Sequence, residues 1–174
     1  MVRRGIKSTQ EIQSKNINFD MNTHLTDENL VRYCLSLIDF NKTDCVLDAG
    51  SGLNKVWFKN ISTINKDEIE ILDGKDFLKY NKHVDWVVGN PPYRYCWEFF
   101  EKAFSISNKG VGFLISINMF NKFTPKRMEE INKKGFYFKK LAIVSVKRWY
   151  GRYYFIIFTK EQNDIFVYSR ESYN

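Results

Sequence analysis

Apolar residues along this chain fall into short unbroken runs separated by polar, helix-compatible stretches, the pattern of strands buried on both faces. Cys45-Val46-Leu47-Asp48, Ile69-Glu70-Ile71-Leu72, Val84 to Val88 and Val111 to Ile117 are four such runs. Leu30, Tyr33, Leu37 and Ile38 recur at helical spacing behind a Thr26-Asp27 cap, which predicts a helix to about Asp39. The stretch from Leu53 to Ile61 can start a second helix. Trp97 to Ser107 reads as a third, and Pro125 to Lys134 as a fourth that Gly135 ends. Phe138 to Val146 and Tyr153 to Thr159 then predict two antiparallel strands around a basic turn. Strands alternating with helices in this way predict an α/β fold.

Composition narrows the class. With 174 residues, 44% of them hydrophobic and 17% aromatic, the chain suits one globular domain with a substantial core and no room for two. The ends, Met1 to Lys15 and Asn163 to Asn174, are expected to fray. No apolar run approaches the roughly 18 to 20 residues that span a membrane, and no hydrophobic signal core follows the first arginines. A cytoplasmic, intracellular protein is expected. Cys34, Cys45 and Cys96 are isolated and odd in number, so they read as reduced thiols rather than staples. His24 and His83 are the two histidines, and no metal site is expected.

Two loops carry the candidate chemistry. Asp85-Trp86-Val87-Val88-Gly89 reads as a short buried strand that empties into Asn90-Pro91-Pro92-Tyr93, at the carboxyl-terminal strand edge where open α/β sheets bind ligands. The amino nitrogen of adenine is a poor nucleophile because its lone pair is delocalised into the ring. If the Asn90 side-chain oxygen and the Pro91 carbonyl accept its two hydrogens, the nitrogen is drawn toward tetrahedral geometry and its lone pair is freed. Pro91 and Pro92 stiffen the turn, and Tyr93 offers a face on which an extruded base can stack. An Asn-Pro dipeptide also marks ordinary strand-ending turns.

Upstream, Cys45-Val46-Leu47-Asp48-Ala49-Gly50-Ser51-Gly52 is an apolar strand running into a glycine turn. Gly50 and Gly52 let backbone approach a ligand closely, Asp48 puts a carboxylate at the strand tip, and Glu70 follows Asp48 by 22 positions. An acid about 20 residues beyond a glycine turn is where α/β nucleotide folds bind ribose hydroxyls. A purely structural strand-to-helix turn has the same appearance, and no third glycine completes a dinucleotide fingerprint.

Taken together, in this order and about 40 residues apart, the two motifs give the chain a resemblance to the class I S-adenosylmethionine-dependent methyltransferases. Within that class it resembles the adenine-N6 methyltransferases with an Asn-Pro-Pro-Tyr loop. The resemblance spans roughly Thr23 to Phe158 and is sharp only in the two motifs and around Asp76-Phe77. It implies a Rossmann-like fold, a mostly parallel sheet flanked by helices with a final antiparallel strand, over a single catalytic domain whose core runs from about 23 to 160. It implies S-adenosyl-L-methionine as cofactor, with Asp48, Ala49, Gly50 and Gly52 in the cofactor loop and Glu70 on the ribose. Asp76 would meet the cofactor's adenine amino group, Phe77 would pack on that ring, and Thr26, in the segment ahead of the first strand, would contact the methionine end. Asn90, shared with the cofactor site, and Pro91, Pro92 and Tyr93 would form the catalytic loop. The family usually has another strand between Ile71 and Asp85, for which only about a dozen residues remain here. Cys96 has no role in such a transfer.

Charge then bears on the substrate. From Lys122 to Arg152 ten Lys or Arg face two Glu, a balance of +8, while the whole chain carries +7. Lys122, Lys126, Arg127, Lys147, Arg148, Trp149 and Arg152, interleaved with Phe120, Phe123, Tyr150, Tyr153 and Tyr154, are candidates for nucleic-acid binding, cations on phosphates and rings on unpaired bases. A solvated basic face over core aromatics is the plainer alternative. The family's loop serves DNA adenine, RNA adenine and a protein glutamine amide, because all three present a planar NH2. DNA is the preferred expectation. RNA, a protein glutamine, and a non-catalytic cofactor-binding subunit remain alternatives, although degenerate partners generally lose the glycines or the Asn kept here. No segment is left for a separate target-recognition domain, so recognition falls to loops, a relaxed or single-stranded target, a partner subunit or a homo-oligomer.

Overall fold

The computed structural model describes residues 26–145 and 151–162. Helix α1 (Glu28–Ser36) opens on Asp27, whose carboxylate accepts the Asn29 and Leu30 amides at 2.9 and 3.2 Å, and leads into β1 (Cys45–Ala49). Then come α2 (Val56–Asn60), β2 (Asn65–Ile69), β3 (Val84–Gly89), α3 (Cys96–Ile106) and β4 (Ser107–Ser116). The short α4 (Ile117–Phe120), α5 (Pro125–Lys133), β5 (Tyr137–Val144) and β6 (Tyr153–Thr159) complete the order. The six strands form one sheet in the order β2-β1-β3-β4-β6-β5, with β2, β1, β3 and β4 parallel and β6 antiparallel to both neighbours.

Period-two alternation sends adjacent residues to opposite faces, and both faces are covered. Leu47, Val87, Val111 and Phe113 pack with Phe99, Phe100 and Phe104 of α3 and Met128 of α5. Val46, Val88, Leu114 and Phe155 pack on the other side with Val31, Cys34 and Leu35 of α1 and Trp57 of α2. At the strand starts, the buried Asp44 accepts from Trp86 Nε1 at 3.1 Å and from Lys109 Nζ. Burial pushes this carboxyl up, but the bonds from Lys109 and Asn41 outweigh it and hold it below its usual range.

Several boundaries differ from those the hydropathy pattern predicts. Ile69 to Leu72 is not a strand: β2 lies earlier, on the polar run Asn65–Ile69, and Ile71–Asp73 is a 3-10 turn. Glu70 causes the break, because its own carboxylate accepts the Leu72 amide at 3.1 Å, and Gly74 at φ 77° closes the turn. Helix α2 starts only at Val56, because Lys55 stands in the left-handed region at φ 50°. Strand β4 begins at Ser107, four residues before its apolar run. A second 3-10 turn, Phe77–Lys79, fills the remaining space before β3. No strand forms there, so among the described residues β2 is the sheet's edge, where Asp67 Oδ1 accepts the Glu68 amide at 2.8 Å.

Register brings the loops together. Asp48 pairs with Val88, Gly89 with Phe113 and Ser116 with Tyr153, so the exits of β1, β3 and β4 and the entry of β6 share one edge. Gly89 permits this: a Cβ on it would lie 2.7 Å from the Ala49 carbonyl oxygen, and its φ of 147° is one that L side chains rarely adopt.

Candidate active site

The turn after β1 is braced from below. The Gly50 and Ser51 amides both donate to the Ile69 carbonyl, at 2.9 and 3.0 Å, which carries the chain from the end of β1 across to the end of β2. Gly50 and Gly52 take φ of 77° and 66°, and a Cβ on Gly52 would meet nothing within 4 Å, so open space lies over the turn. Glu70 Oε2 accepts the Gly52 amide at 2.6 Å. Ser51 Oγ donates to Glu68 at 2.8 Å, and Lys55 Nζ bridges Glu68 and Asp73 at 2.7 and 3.0 Å. Burial pushes Glu68 up, yet Lys55 and Ser51 outweigh it and hold it below its usual range, while the bonds to Glu68 and Asp73 push Lys55 up to about 12.

Asp48 lies beneath this turn with no exposed surface. Its Oδ2 accepts the Phe58 amide at 2.9 Å, and its buried Oδ1 has no hydrogen-bond partner among the described residues. Burial pushes the carboxyl up to about 8, against the Phe58 bond and with help from Glu68 and Glu70. Asp48 is therefore a buried acid supporting the turn, rather than a carboxylate presented at the strand tip. Ala49 is wholly buried at the end of β1.

Two more residues expected near the cofactor are placed differently from each other. Asp76 is half-buried and caps the Phe77–Lys79 turn by accepting the Leu78 amide at 3.0 Å. Phe77 is buried, its ring centroid 4.7 Å from that of Phe99, in the core beneath the turn. The sequence pattern gave no prominence to the apolar rim. Leu53, Ile71 and Leu72, next to Gly52 and Glu70 in the chain, are all exposed. Apolar residues immediately after a turn glycine and after a strand-end acid are the signal that could have found them.

In the loop after β3, Asn90 is half-buried and its Nδ2 donates to Thr26 Oγ1 at 3.2 Å. Among the described residues, nothing donates to Asn90 Oδ1 or to the Pro91 carbonyl, whereas the Pro92 carbonyl accepts the Tyr95 amide at 3.0 Å. Pro91 is buried and Pro92 exposed. Tyr93 opens a one-turn 3-10 helix, Tyr93–Tyr95, and is 39% exposed, with the buried Tyr153 at the start of β6 beside its hydroxyl. Burial first and Tyr153 second push the Tyr93 phenol up, so it stays protonated at any ordinary pH. Burial also pushes the Cys96 thiol up to about 12, which leaves it inert as a nucleophile.

The basic candidates separate into three groups. Lys122, Lys126 and Arg152 are exposed, and Arg152 directly precedes Tyr153. Arg127 is half-buried, with its guanidinium 4.2 Å from the Trp97 ring centroid and donating to the Lys122 carbonyl at 2.9 Å, so it ties α5 to α3. Lys147, Arg148 and Trp149, with Tyr150, lie outside the described residues. The interleaved aromatics are core: Tyr153 and Tyr154 are buried, Phe120 stacks on Tyr154 at 4.9 Å, and Phe123 stacks on Phe158 at 5.8 Å.

No family model matches the sequence, and no curated protein does. Solved structures do match in shape. The magnesium protoporphyrin IX methyltransferase of Synechocystis PCC 6803, crystallised with bound S-adenosylmethionine, is similar at a TM-score of 0.58 and 10% identity, over 77% of this chain and 78% of that one. The 23S rRNA methyltransferase ErmE is similar at 0.62 and 14% identity, over 79% and 69%. A dimethyladenosine transferase from Plasmodium falciparum is similar at 0.55 and 13%, over 78% of this chain and 61% of that one. Among the described residues, no helix is long and apolar enough to cross a membrane. The six-stranded sheet, parallel up to β4 with β6 antiparallel, and its flanking helices are the Rossmann-like fold of the S-adenosylmethionine-dependent methyltransferases.

Proposed function

We propose that this protein transfers the methyl group of S-adenosylmethionine to the N6 amino group of adenine in DNA. The observation that carries this is the state of Asn90: its amide nitrogen is held by Thr26, while its oxygen and the neighbouring Pro91 carbonyl have no donor among the described residues. Two acceptors on a stiff Pro-Pro turn match a planar NH2 group, which has two hydrogens to give.

The residues of the glycine turn and the segment after β2 fit the cofactor. Gly52 leaves room for close approach, Glu70 offers further lone pairs where ribose hydroxyls would lie, and Leu53, Ile71 and Leu72 offer apolar surface to a purine. Asp76, half-buried at the head of the Phe77–Lys79 turn, is a further candidate for the cofactor's adenine amino group. Thr26, expected at the methionine end, also orients Asn90, which makes it a link between the two halves of the site. S-adenosylmethionine bound here would supply the electrophilic methyl of its sulfonium.

The protein's share is binding, orientation and exclusion of water. Asn90 Oδ1 and the Pro91 carbonyl accept the amino hydrogens of adenine and localise its lone pair. Tyr93, protonated, stacks on the base rather than moving a proton. Among the described residues no side chain is placed as a general base, Asp48 being buried beneath the turn, so the proton lost from the methylated nitrogen would pass to solvent as S-adenosylhomocysteine leaves, and no covalent nucleophile is needed. Lys122, Lys126 and Arg152 are exposed cations that can neutralise phosphates, with Lys147 and Arg148 as further candidates, and this favours nucleic acid over a protein amide.

Labelled cofactor offered in parallel with DNA, structured RNA and protein extract, followed by digestion, tests the proposal. N6-methyladenine in the DNA arm is the expected product. Label confined to RNA adenine or to a protein glutamine would replace the substrate, and label in no arm would remove the enzymatic reading.

A further inference from the structure

We propose that Arg94 is a phosphate-binding residue that holds the sugar-phosphate backbone of the strand whose adenine stacks on Tyr93. This rests on the function proposed above and deepens it, since Arg94 lies outside the basic run from Lys122 to Arg152 and one residue beyond the catalytic motif.

Arg94 is the middle residue of the 3-10 turn Tyr93–Tyr95 that leads from the catalytic loop into α3. Successive residues of such a turn are rotated by about 120°, so the three side chains leave the backbone in three directions. Tyr95 goes inward, half-buried and packed against the core. Arg94 is exposed, and its guanidinium carbon lies 5.6 Å from the centroid of the Tyr95 ring. An aromatic face beside a guanidinium restrains the cation without occupying any of its N–H donors.

Those donors are unclaimed. Among the described residues Arg94 has no hydrogen bond and no ion pair. An acid stands at the right spacing: Glu98, also exposed, is four residues on, the separation at which Arg32 meets Glu28 at 2.6 Å and Lys133 meets Glu129 at 3.0 Å. In those two pairs the acid comes first along the helix. At 94 and 98 the order is reversed, and the reversed order pairs less well. The result is a cation beside the catalytic loop, supported by a ring and open to an outside anion.

Its surroundings favour a polyanion. The Phe123 ring lies 5.7 Å from that of Trp97, the second residue of α3, which brings the neighbouring, exposed Lys122 to the same end of that helix. In a nucleotide the sugar separates phosphate from base, so a cation that holds the phosphate must stand beside the stacking ring rather than behind it. Arg94, next to Tyr93 and turned to a different side, meets that requirement, and its planar fork can take phosphate oxygens in pairs.

The test is the affinity of a fluorescein-labelled, adenine-containing DNA oligonucleotide from about 50 to about 200 mM salt, for wild type, Arg94→Ala, Arg94→Lys and Lys42→Ala. Lys42 is an exposed cation ahead of β1, at the other end of that strand from the glycine turn, and controls for loss of charge alone. Denaturation midpoints verify that each variant is folded. Arg94→Ala is expected to weaken binding about 10-fold at the lowest salt and to reduce the salt slope by about one, with Arg94→Lys in between and cofactor affinity within about twofold. A neutral methylphosphonate in place of one of the two phosphates flanking the adenine should weaken wild type by a similar factor and leave Arg94→Ala unaffected. An unchanged slope in Arg94→Ala, an equal loss in Lys42→Ala, or a methylphosphonate loss undiminished in Arg94→Ala would overturn the proposal. A marked loss of cofactor affinity in Arg94→Ala would overturn it too, by placing the guanidinium on the cofactor's carboxylate. Binding is read without turnover, so the two readings fail separately. Methylation of adenine with a slope indifferent to Arg94 would sink this site alone, and Arg94-dependent binding with no methyl transferred would keep the site and remove the reaction.

Discussion

The glycine turn after β1 and the Asn-Pro-Pro-Tyr loop after β3 lie on the same sheet edge and are built to opposite rules. In the first, polar groups are directed inward: the amides at 50, 51 and 52, the Ser51 hydroxyl and the Glu68 and Glu70 carboxylates all have partners in the protein. In the second, two strong acceptors, Asn90 Oδ1 and the Pro91 carbonyl, have none among the described residues. A satisfied turn keeps its shape whether or not a ligand is present, whereas unclaimed acceptors are restrained by covalent stiffness and wait for donors. Under the function proposed above, the difference would separate two tasks: the first loop offers a ligand a fixed shape and the outer lone pairs of Glu70, the second offers it unclaimed acceptors.

That contrast predicts which changes affect which task. Asn90→Ala should lower kcat by about 10²- to 10³-fold, the scale of losing one positioned electrostatic group, with cofactor affinity within about twofold. Calorimetry beside single-turnover kinetics checks this, and parallel loss of both quantities would erase the distinction between the loops. Gly89→Ala strikes both loops, because the new Cβ would lie 2.7 Å from the Ala49 carbonyl at a φ of 147°. Its expected cost is about 1–3 kcal/mol in denaturant titration, with cofactor affinity and turnover falling together.

Asp48 sharpens the comparison through pH. The folded chain holds its proton to about pH 8, whereas the usual value is 3.8, so folding takes up a proton between those limits. Stability contributed by this group therefore falls as pH rises through that interval and is level outside it, with a slope of at most about 1.4 kcal/mol per pH unit. Asp48→Asn should flatten the slope, and an unchanged profile of denaturation midpoints from pH 4 to 8 would show that the carboxyl is solvated. The smallest effect is expected at Arg127. Replacing it with Ala removes the stacking on Trp97 and should lower stability by about 0.5–1 kcal/mol while leaving the salt dependence of oligonucleotide binding unchanged. A flatter salt slope would instead make it a phosphate contact.

The sequence carried the architecture well where chemistry and hydropathy agreed. Val84 to Val88, Tyr153 to Thr159 and the capped helix behind Asp27 are close to the observed β3, β6 and α1, because each is an apolar run or face bounded by a clear stop. It failed at β2, where the more apolar run lost to a side-chain bond from Glu70 and the strand formed on Asn65-Lys66-Asp67-Glu68. An edge strand needs little apolar content, and a local carboxylate–amide bond can outcompete a ladder. At the site, Asn90 and the turn glycines were legible as one-dimensional motifs. The Thr26–Asn90 bond and the nearness of Tyr153 to Tyr93 were not, because they join positions 64 and 60 residues apart and depend on the register of the sheet. The aromatics among the basic residues were misleading for the same reason: composition cannot tell a ring that faces solvent from one stacked in the core.

Strand β2 carries a last consequence, since among the described residues it ends the sheet where the family the sequence resembles usually has a further strand. An open border of this kind is a template on which a stray chain can grow. Here Asp67 folds its carboxylate onto the amide that follows it, so that donor is already taken and the approach of another backbone meets negative charge. Among the described residues the sheet thus stops at β2 with a carboxylate folded over that border.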